Sequence, residues 1–227
     1  MWTTRTEMLI GKENCEKLKN SHITIVGLGG VGGYAVVMLA RAGVNNFTLI
    51  DFDKVEETNI NRQIVATTKT IGKFKTEVLK EMLLEINPNC QIQIYTTRLT
   101  EDNITSLISK DTDYCIDCID SVKDKVSLCS YCYFNEIPII SAMGAGNRID
   151  IPEFKVIDLY KTANDGLAKV MRKKLKEKGV KNLEVVAPAS PALKNIDGVG
   201  SISYYPAMCG CVLSAQVLNK LLKKENL

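Results

Sequence analysis

Short runs of apolar, mostly β-branched residues alternate along the chain with longer segments in which apolar residues recur every three or four positions. The first run, ITIVG at 23–27, is typical of a strand buried on both faces of a parallel sheet. It is followed by GLGGVGG and then by YAVVMLARAG, whose helical pattern ends at Gly43, a glycine suited to a C-cap. The order predicts a strand, a tight turn and a helix.

The same alternation continues to about residue 146. The run NFTLIDFD predicts a second strand that ends in acids, and GKFKTEVLKEMLLEINP predicts an amphipathic helix that stops before Pro88. Further strands are predicted in QIQIYTTRL, YCIDCID and IPIISAMG, with a short helix over 103–109 and a longer one in KVSLCSYCYFNE. Such repeated βαβ units predict an α/β fold with a doubly wound, mostly parallel, Rossmann-like sheet and right-handed crossovers.

The pattern changes after residue 146. FKVIDLY predicts another strand, and Leu167, Val170, Met171 and Leu175 give residues 163–178 the spacing of an amphipathic helix. The proline and glycine content of VVAPASPALKNIDGVGS predicts a loop. SISYYPAMCGCVLSAQVLNKLLKK then predicts a strand-like start and an apolar C-terminal helix. We therefore predict one domain over 1–227, with a helical arm at 1–22, a core at 23–146 and an extension at 147–227.

Composition narrows the class of protein. A chain of 227 residues that is 45% hydrophobic and 24% charged is ordinary for a globular protein. It has no apolar run of about 18 residues that could span a bilayer, and its first residues, MWTTRTEMLIGKENCEKLKN, lack the apolar core of a signal peptide. We expect a cytoplasmic protein without a membrane segment. The net charge of +3 is concentrated, because residues 169–181 contain seven basic residues and one acid.

The eight cysteines are expected to be reduced in such a compartment. Two pairs, Cys115/Cys118 and Cys129/Cys132, have the C-x-x-C spacing of zinc ligands, but they fall in a predicted strand and a predicted helix rather than in turns. We expect core residues there, not a zinc site. The single histidine, His22, precedes the first strand and is expected to have a surface or packing role.

The turn after the first strand matches G-x-G-x-x-G through Gly27, Gly29, Gly30 and Gly32. Glycines allow phosphate to approach the backbone, and the start of the following helix offers free N–H groups. Asp51 ends the second strand 19 residues after Gly32, a spacing that suits a carboxylate bound to ribose hydroxyls. Folds that bind NAD, FAD, S-adenosylmethionine or ATP share this signal, so the motif alone predicts only nucleotide binding.

Four downstream residues favour a triphosphate. Asn59, Arg62 and Lys75 follow the second strand and Asp120 follows the fourth, so all four should lie at the carboxyl edge of the sheet, where ligands bind in such folds. Arginine and lysine suit phosphate oxygens and aspartate suits Mg²⁺. The alternative is a set of separate surface ion pairs.

Together these segments resemble the ThiF/MoeB/HesA superfamily, which includes the ubiquitin-activating enzymes and adenylates carboxylates. Its pattern GxGGxG, DxDxVxxxNxxRQ, GxxK and DxxD appears here as GLGGVG, DFDKVEETNINRQ, GKFK and DCID. The resemblance implies that Asp51 binds ribose, that Asn59, Arg62 and Lys75 bind the phosphates of ATP, and that Asp120 holds Mg²⁺. It also implies a homodimer, because similar proteins place an arginine at the position of Arg5 that reaches the partner subunit's ATP. The implied catalytic residues are therefore Arg62, Lys75, Asp120 and Arg5.

The second half is most similar to the TcdA (CsdL) branch, the tRNA threonylcarbamoyladenosine dehydratases. The resemblance rests on Gly144-Ala145-Gly146, on further positions between 149 and 175, and on the closing SISYYPAMCG. Gly166 departs from that branch, which has proline there, and the loop near 184–200 is short. The late paired C-x-x-C motifs of sulfur-carrier activators are absent after Cys132, and Cys209 is more readily a packing residue at a helix start than a nucleophile.

The branch implies that ATP activates the threonine carboxylate of the modified adenosine in tRNA, followed by ring closure with loss of water. The basic segment would then bind RNA phosphates, through residues Lys169, Arg172, Lys173, Lys174, Lys176 and Lys178. Three alternatives remain open from the sequence: a sulfur-carrier-protein adenylyltransferase of the ThiF/MoeB type, an NAD-dependent oxidoreductase and a noncatalytic nucleotide-binding scaffold. A sulfur-relay partner and a monovalent cation site also remain open.

Overall fold

Seven strands form one sheet in the order β3-β2-β1-β4-β5-β7-β6 in the computed structural model, which describes residues 2–194 and 197–222. The strands are β1 (His22–Val26), β2 (Asn46–Ile50), β3 (Gln91–Tyr95), β4 (Tyr114–Asp117), β5 (Ile139–Ala142), β6 (Phe154–Asp158) and β7 (Glu184–Pro188). Every neighbouring pair is parallel except β6 and β7, which are antiparallel. The predicted doubly wound, mostly parallel α/β fold is confirmed.

Helices cover both faces of this sheet. They are α1 (Thr4–Ile10), α2 (Lys12–Asn20), α3 (Gly32–Ala42), α4 (Lys75–Ile86), α5 (Ile104–Leu107), α6 (Val122–Phe134), α7 (Gly166–Glu177) and α8 (Tyr204–Leu222). Because successive strand residues face opposite sides, Ile23 and Ile25 join the core under α3, α4 and α8, whereas Val26 packs into the core that includes α5 and α6. Helix α7 packs on α6 through Met171 and Leu175 and extends that second face.

Helix α8 lies close to α3 and brings the end of the chain to the glycine-rich turn. A Cβ atom on Gly210 would lie 2.4 Å from the carbonyl oxygen of Val31, so only glycine allows this approach. The hydroxyl of Ser214 donates to the Ala35 carbonyl across the same contact, at 3.1 Å. The first turn of α8 also places Pro206 beside Gly30. The C-terminal helix therefore supports the backbone of the glycine-rich turn.

Two local predictions are wrong. The predicted loop VVAPASPALKNIDGVGS begins with most of β7, because Val185 and Val186 are fully buried between β5 and β6 and Pro188 is only the last residue of the strand. The proline and glycine signals apply only after that point, and residues 195 and 196 of this segment lie outside the described ranges. The strand-like start predicted at SIS is also absent, since residues 201–203 contain no strand and α8 begins at Tyr204. Residues 223 and 224, predicted to continue the last helix, lie outside the described ranges.

Within residues 2–194 and 197–222, no helix has the length and apolar character needed to cross a bilayer.

Candidate active site

A cleft of about 940 Å³ opens at the carboxyl ends of the parallel strands. It lies where the strand order reverses, with β2 and β3 on one side of β1 and β4 and β5 on the other, the place where ligands bind in open α/β sheets. One end is lined by the glycine-rich turn and the segment after β2. The other end is lined by residues 142–148, of which the first ends β5, and by residues 165–167, while Pro206 of α8 lines the cleft beside Gly30.

The glycine-rich turn packs tightly against the end of β4. Gly27 has φ +89°, and a Cβ atom there would lie 2.6 Å from the Cys118 carbonyl oxygen; a Cβ atom on Gly32 would lie 1.8 Å from the Gly27 oxygen. The backbone N–H groups of Gly29, Gly30 and Val31 donate no hydrogen bond to any residue in the described part of the chain. Free N–H groups at the start of a helix bind anions, so this turn fits the phosphates of a nucleotide.

Asp51 lines the cleft beside that turn and is 8% exposed. Its carboxylate accepts hydrogen bonds from the N–H of Leu28 at 2.6 Å and from the N–H of Asp53 at 2.7 Å. Burial raises the pKa of Asp51, and these two hydrogen bonds and the Lys75 charge partly oppose that rise. Each carboxylate oxygen has a second lone pair, which leaves acceptors for the ribose hydroxyls that the sequence assigns to Asp51.

The three predicted phosphate ligands after β2 all line the cleft, but each is engaged with its own chain. Lys75, the first residue of α4, pairs with Asp53 at 2.7 Å. The Nη1 of Arg62 donates to the Thr58 carbonyl at 3.0 Å and also to the neighbouring Asn61 side chain. Asn59 is buried in a 3₁₀ turn, where its Oδ1 accepts from the Glu56 N–H. The structure thus brings Asn59, Arg62 and Lys75 together around one space, and a triphosphate would compete for the two cations.

Asp120 follows β4 and extends an exposed carboxylate at the cleft. This carboxylate forms no ion pair and accepts no hydrogen bond from any residue in the described ranges. Those ranges also contain no group of three or more histidine, cysteine, aspartate or glutamate side chains that could hold a metal ion. Mg²⁺ commonly takes one or two carboxylates and completes its shell with phosphate oxygens and water. The donor set at Asp120 fits a Mg²⁺ ion that binds together with a nucleotide.

An ion pair that the sequence analysis missed lies directly before this segment. Lys125 of α6 and Asp117 of β4 are 2.9 Å apart and almost fully buried, with 1% and 0% of their side chains exposed. Asp117 also accepts hydrogen bonds from the Ser141 hydroxyl at 2.6 Å and the Ile119 N–H at 3.0 Å, and Lys125 donates to the Ile119 carbonyl at 3.0 Å. Burial lowers the pKa of Lys125, but the charge and hydrogen bond of Asp117, together with the nearby Cys129 and Cys118, outweigh it and leave the pKa above its usual 10.5. The pair fixes the backbone between β4 and Asp120.

The remaining predicted site residues lie outside the cleft. Arg5 is exposed on α1 and does not line it. In the basic segment, Arg172 donates to the Thr162 carbonyl at 3.0 Å and Lys178 pairs with Glu101 at 3.2 Å. The other four predicted RNA-binding residues are exposed on α7, with no ion pair to a described residue; they are Lys169, Lys173, Lys174 and Lys176. The predicted set of six therefore consists of four lysines without an ion pair and two cations that are bound to other parts of the chain.

Cys209 is buried in α8, and burial raises its pKa to about 12. A thiol must ionise to act as a nucleophile, so Cys209 is suited to packing and not to covalent chemistry.

The sequence analysis missed two buried cations, for different reasons. Lys125 does have a signal, because it occupies the apolar spacing of Val122 and Cys129 on α6, where a lysine requires a buried partner. Arg148 has none. It is 4% exposed and lines the far end of the cleft, but its partners are backbone carbonyls from three separate segments. Only the folded chain reveals them.

A parallel sheet with a phosphate-binding turn, a ribose-suited acid and a set of cations at one switch point defines a nucleotide-binding α/β protein with a cleft suited to ATP. Comparison with known proteins identifies the family. The chain belongs to the ThiF family, whose model matches residues 3–227.

Two similar proteins match nearly the whole chain, and a third matches only part of it. The tRNA threonylcarbamoyladenosine dehydratase of Bacillus subtilis (strain 168) is 36% identical over 97% of this chain and 94% of its own length. The crystal structure of the Escherichia coli tRNA N6-threonylcarbamoyladenosine dehydratase, TcdA, in complex with ATP superposes with a TM-score of 0.93, at 36% identity over 98% of this chain and 94% of that one. The molybdopterin-synthase adenylyltransferase of Salmonella typhimurium (strain LT2) is 39% identical, but over only 61% of this chain and 54% of its own.

The buried ion pair gives a stability test. Lys125→Met leaves the Asp117 carboxylate buried without its cation, and breaking such a pair destabilises a protein by about 3–5 kcal/mol. We expect that loss in the free energy of unfolding measured with urea at neutral pH. Lys123→Met, on the exposed side of the same helix, is the matched control and should change stability by less than about 0.5 kcal/mol. A Lys125→Met protein as stable as the control would contradict the account.

Proposed function

We propose that this protein is an ATP-dependent tRNA threonylcarbamoyladenosine dehydratase, which adenylates the threonine carboxylate of the modified adenosine and closes a ring with loss of water. One observation supports this above all others. The cleft does not end at the glycine-rich turn but continues to a wall formed by residues 142–148 and 165–167. The match to the Bacillus subtilis dehydratase extends over 97% of the chain, which includes almost all of this cleft, whereas the molybdopterin-synthase adenylyltransferase matches only 61% of the chain.

ATP would bind with its phosphates on the free N–H groups of the glycine-rich turn and its ribose on Asp51. Arg62 and Lys75 then neutralise the charge of the phosphates, which allows a carboxylate to approach the α-phosphorus against less repulsion. Release of Lys75 from Asp53 and of Arg62 from its own loop accompanies ATP binding. Asn59 holds the 3₁₀ turn in place, so that Arg62 already lies close to the ATP phosphates before it leaves its own loop.

The reaction has two covalent steps. A threonine carboxylate oxygen forms a bond to the α-phosphorus, and the bond from that phosphorus to the β-phosphate oxygen breaks, which releases pyrophosphate. The carbamoyl nitrogen then bonds to the activated acyl carbon and loses its proton to solvent, and the bond from that carbon to the AMP oxygen breaks. The oxygen lost from the nucleoside leaves with AMP, which accounts for the net loss of water.

Asp120 is the residue we assign to Mg²⁺. When bound, Mg²⁺ supplies positive charge to the phosphate oxygens and makes pyrophosphate a better leaving group. Asp120 contributes a carboxylate at the cleft that is free of protein partners in the described ranges, and Asp117 with Lys125 keeps its backbone in place.

Arg5 and the dimer belong to the same proposal. The Arg5 side chain is exposed on α1 and outside its own cleft, which is the placement expected of a residue that serves a partner subunit. We therefore propose a cytoplasmic homodimer in which Arg5 reaches the partner subunit's ATP.

The main rival is a sulfur-carrier-protein adenylyltransferase. Its substrate would be the C-terminus of a carrier protein, and a sulfur-relay partner would be expected to bind this protein. The short match to the molybdopterin-synthase adenylyltransferase weakens this reading, and Cys209 is too deeply buried to accept an acyl group or sulfur.

The substrate is tested by mass spectrometry of tRNA nucleosides after incubation of tRNA bearing threonylcarbamoyladenosine with the protein, ATP and Mg²⁺. We expect the modified nucleoside to lose the mass of one water, with one AMP formed for each nucleoside converted. Omission of ATP is the control and should abolish the change. An unchanged nucleoside, together with pyrophosphate exchange that depends on a carrier protein ending in Gly-Gly, would favour the rival instead.

The basic surface of α7 gives a second test. Reversal of three exposed lysines, Lys173→Glu, Lys174→Glu and Lys176→Glu, should weaken tRNA binding and flatten its salt dependence, because phosphate contacts release counterions. ATP affinity should stay the same, since α7 contributes only its first residues to the cleft. Binding is measured by filter retention over a range of salt concentrations.

The matched control reverses three exposed lysines of α2, Lys12, Lys17 and Lys19, and changes the net charge by the same amount. This helix packs against α1 and α8. Equal loss of tRNA affinity in both triple variants would mean that total charge, and not the α7 surface, determines binding.

A further inference from the structure

Arg148 is a buried cation without an acidic partner in the described ranges. It is 4% exposed and occurs in none of the ion pairs among those residues. Buried charges are usually paired with an opposite charge because desolvation of an unpaired one is unfavourable. The guanidinium is instead bound by carbonyl dipoles, so the far end of the cleft has a positive charge with no acidic group within ion-pair distance in the described chain.

The carbonyls that Arg148 binds come from three segments that line or support the cleft. Its Nη1 donates to the Gly144 oxygen at 3.0 Å and to the Gly146 oxygen at 2.9 Å. Its Nε donates to the Ser190 oxygen at 3.3 Å and its Nη2 to the Asn164 oxygen at 3.4 Å. One side chain thus fixes the direction of the backbone after β5 relative to the segments before α7 and after β7.

That direction determines where a neighbouring N–H points. In a trans peptide the C=O and the following N–H are antiparallel. Because the Gly144 carbonyl faces Arg148, the N–H of Ala145 points away from the guanidinium, and it donates to no residue within the described ranges. The preceding N–H, on Gly144, is already bound by the Asp165 carboxylate at 2.7 Å. Ala145 lines the cleft, so one backbone donor of this wall is free for a ligand.

We propose that Arg148 is a positioning residue for acyl transfer, which holds the Gly144–Ala145 peptide so that the Ala145 N–H donates to the oxygen that becomes negative when the carbamoyl nitrogen attacks. This inference rests on the proposed dehydratase function. During ring closure the new C–N bond forms, the carbonyl electron pair moves onto oxygen, and it returns as the C–O bond to AMP breaks and AMP leaves. A prearranged donor, supported by a nearby positive charge, stabilises that oxygen only while the charge exists.

The two reaction steps separate this role from a merely structural one. In adenylation the carboxylate loses negative charge, so loss of the donor affects that step little. Ring closure develops the oxyanion, and removal of one such donor typically lowers a rate by about 10²- to 10³-fold. We expect Arg148→Met to slow formation of the cyclic nucleoside by about 10²-fold, and to retain most of the ATP–pyrophosphate exchange that depends on modified tRNA and most of the ATP affinity.

Arg148→Lys covers the case in which the methionine variant fails to fold. Lysine keeps the charge but cannot match the planar fork of donors, so ring closure should fall by about tenfold with exchange preserved. Arg41→Met, an exposed position on α3, is the control and should resemble the unmodified protein. Unchanged ring closure in the folded variants, or an equal fall in exchange, ATP affinity and ring closure, would overturn the inference. Failure of the unmodified protein to form the cyclic nucleoside would overturn the proposed function instead.

Discussion

The ion pair between Asp117 and Lys125 is the interaction on which the geometry of the cleft depends. It lies at the end of β4, where the chain leaves the sheet, and it binds both the N–H and the carbonyl of Ile119. Gly27 contacts the next carbonyl back, that of Cys118, so closely that no side chain fits between them. The glycine-rich turn is therefore built against a backbone that a buried charge pair holds still. Because that pair is buried, salt screens its attraction much less than it screens the attraction of a surface pair.

From this fixed point the cleft extends in two chemically different directions. Toward β2 it presents N–H groups, the Arg62 and Lys75 cations and the Asp51 acceptor, a set suited to phosphates and ribose. Toward β5 it presents backbone of the Gly144–Gly146 segment, with Arg148 behind it. A nucleotide bound on the β2 side of the cleft would place its α-phosphate next to a substrate bound on the β5 side. That arrangement suits adenylation, in which two substrates must meet at one phosphorus atom.

Much of this architecture is predictable from the sequence because it depends on local order. Buried strands can be recognised by their continuous apolar runs. Because the carboxyl ends of parallel strands meet at one edge of the sheet, Gly27, Asp51 and Asp120 are expected to lie close together. The missed features depend on partners from other segments. Val185–Pro188 is too short and too close to a loop to be identified as a strand until β5 and β6 enclose it. Lys125 requires Asp117 from another element, and the carbonyl partners of Arg148 come from residues far apart in sequence. The pairing of Lys75 with Asp53 is likewise a property of the folded loop.

In the proposed reaction, the acid is activated by transfer of one of its oxygens to phosphorus. Modified tRNA whose threonine carboxylate is labelled with ¹⁸O reports this transfer. After incubation with the protein, ATP and Mg²⁺, we expect one ¹⁸O atom in the phosphate of AMP for each cyclic nucleoside formed, and none in pyrophosphate. Cyclisation accompanied by ADP and phosphate, or by AMP without the label, would rule out activation by adenylation.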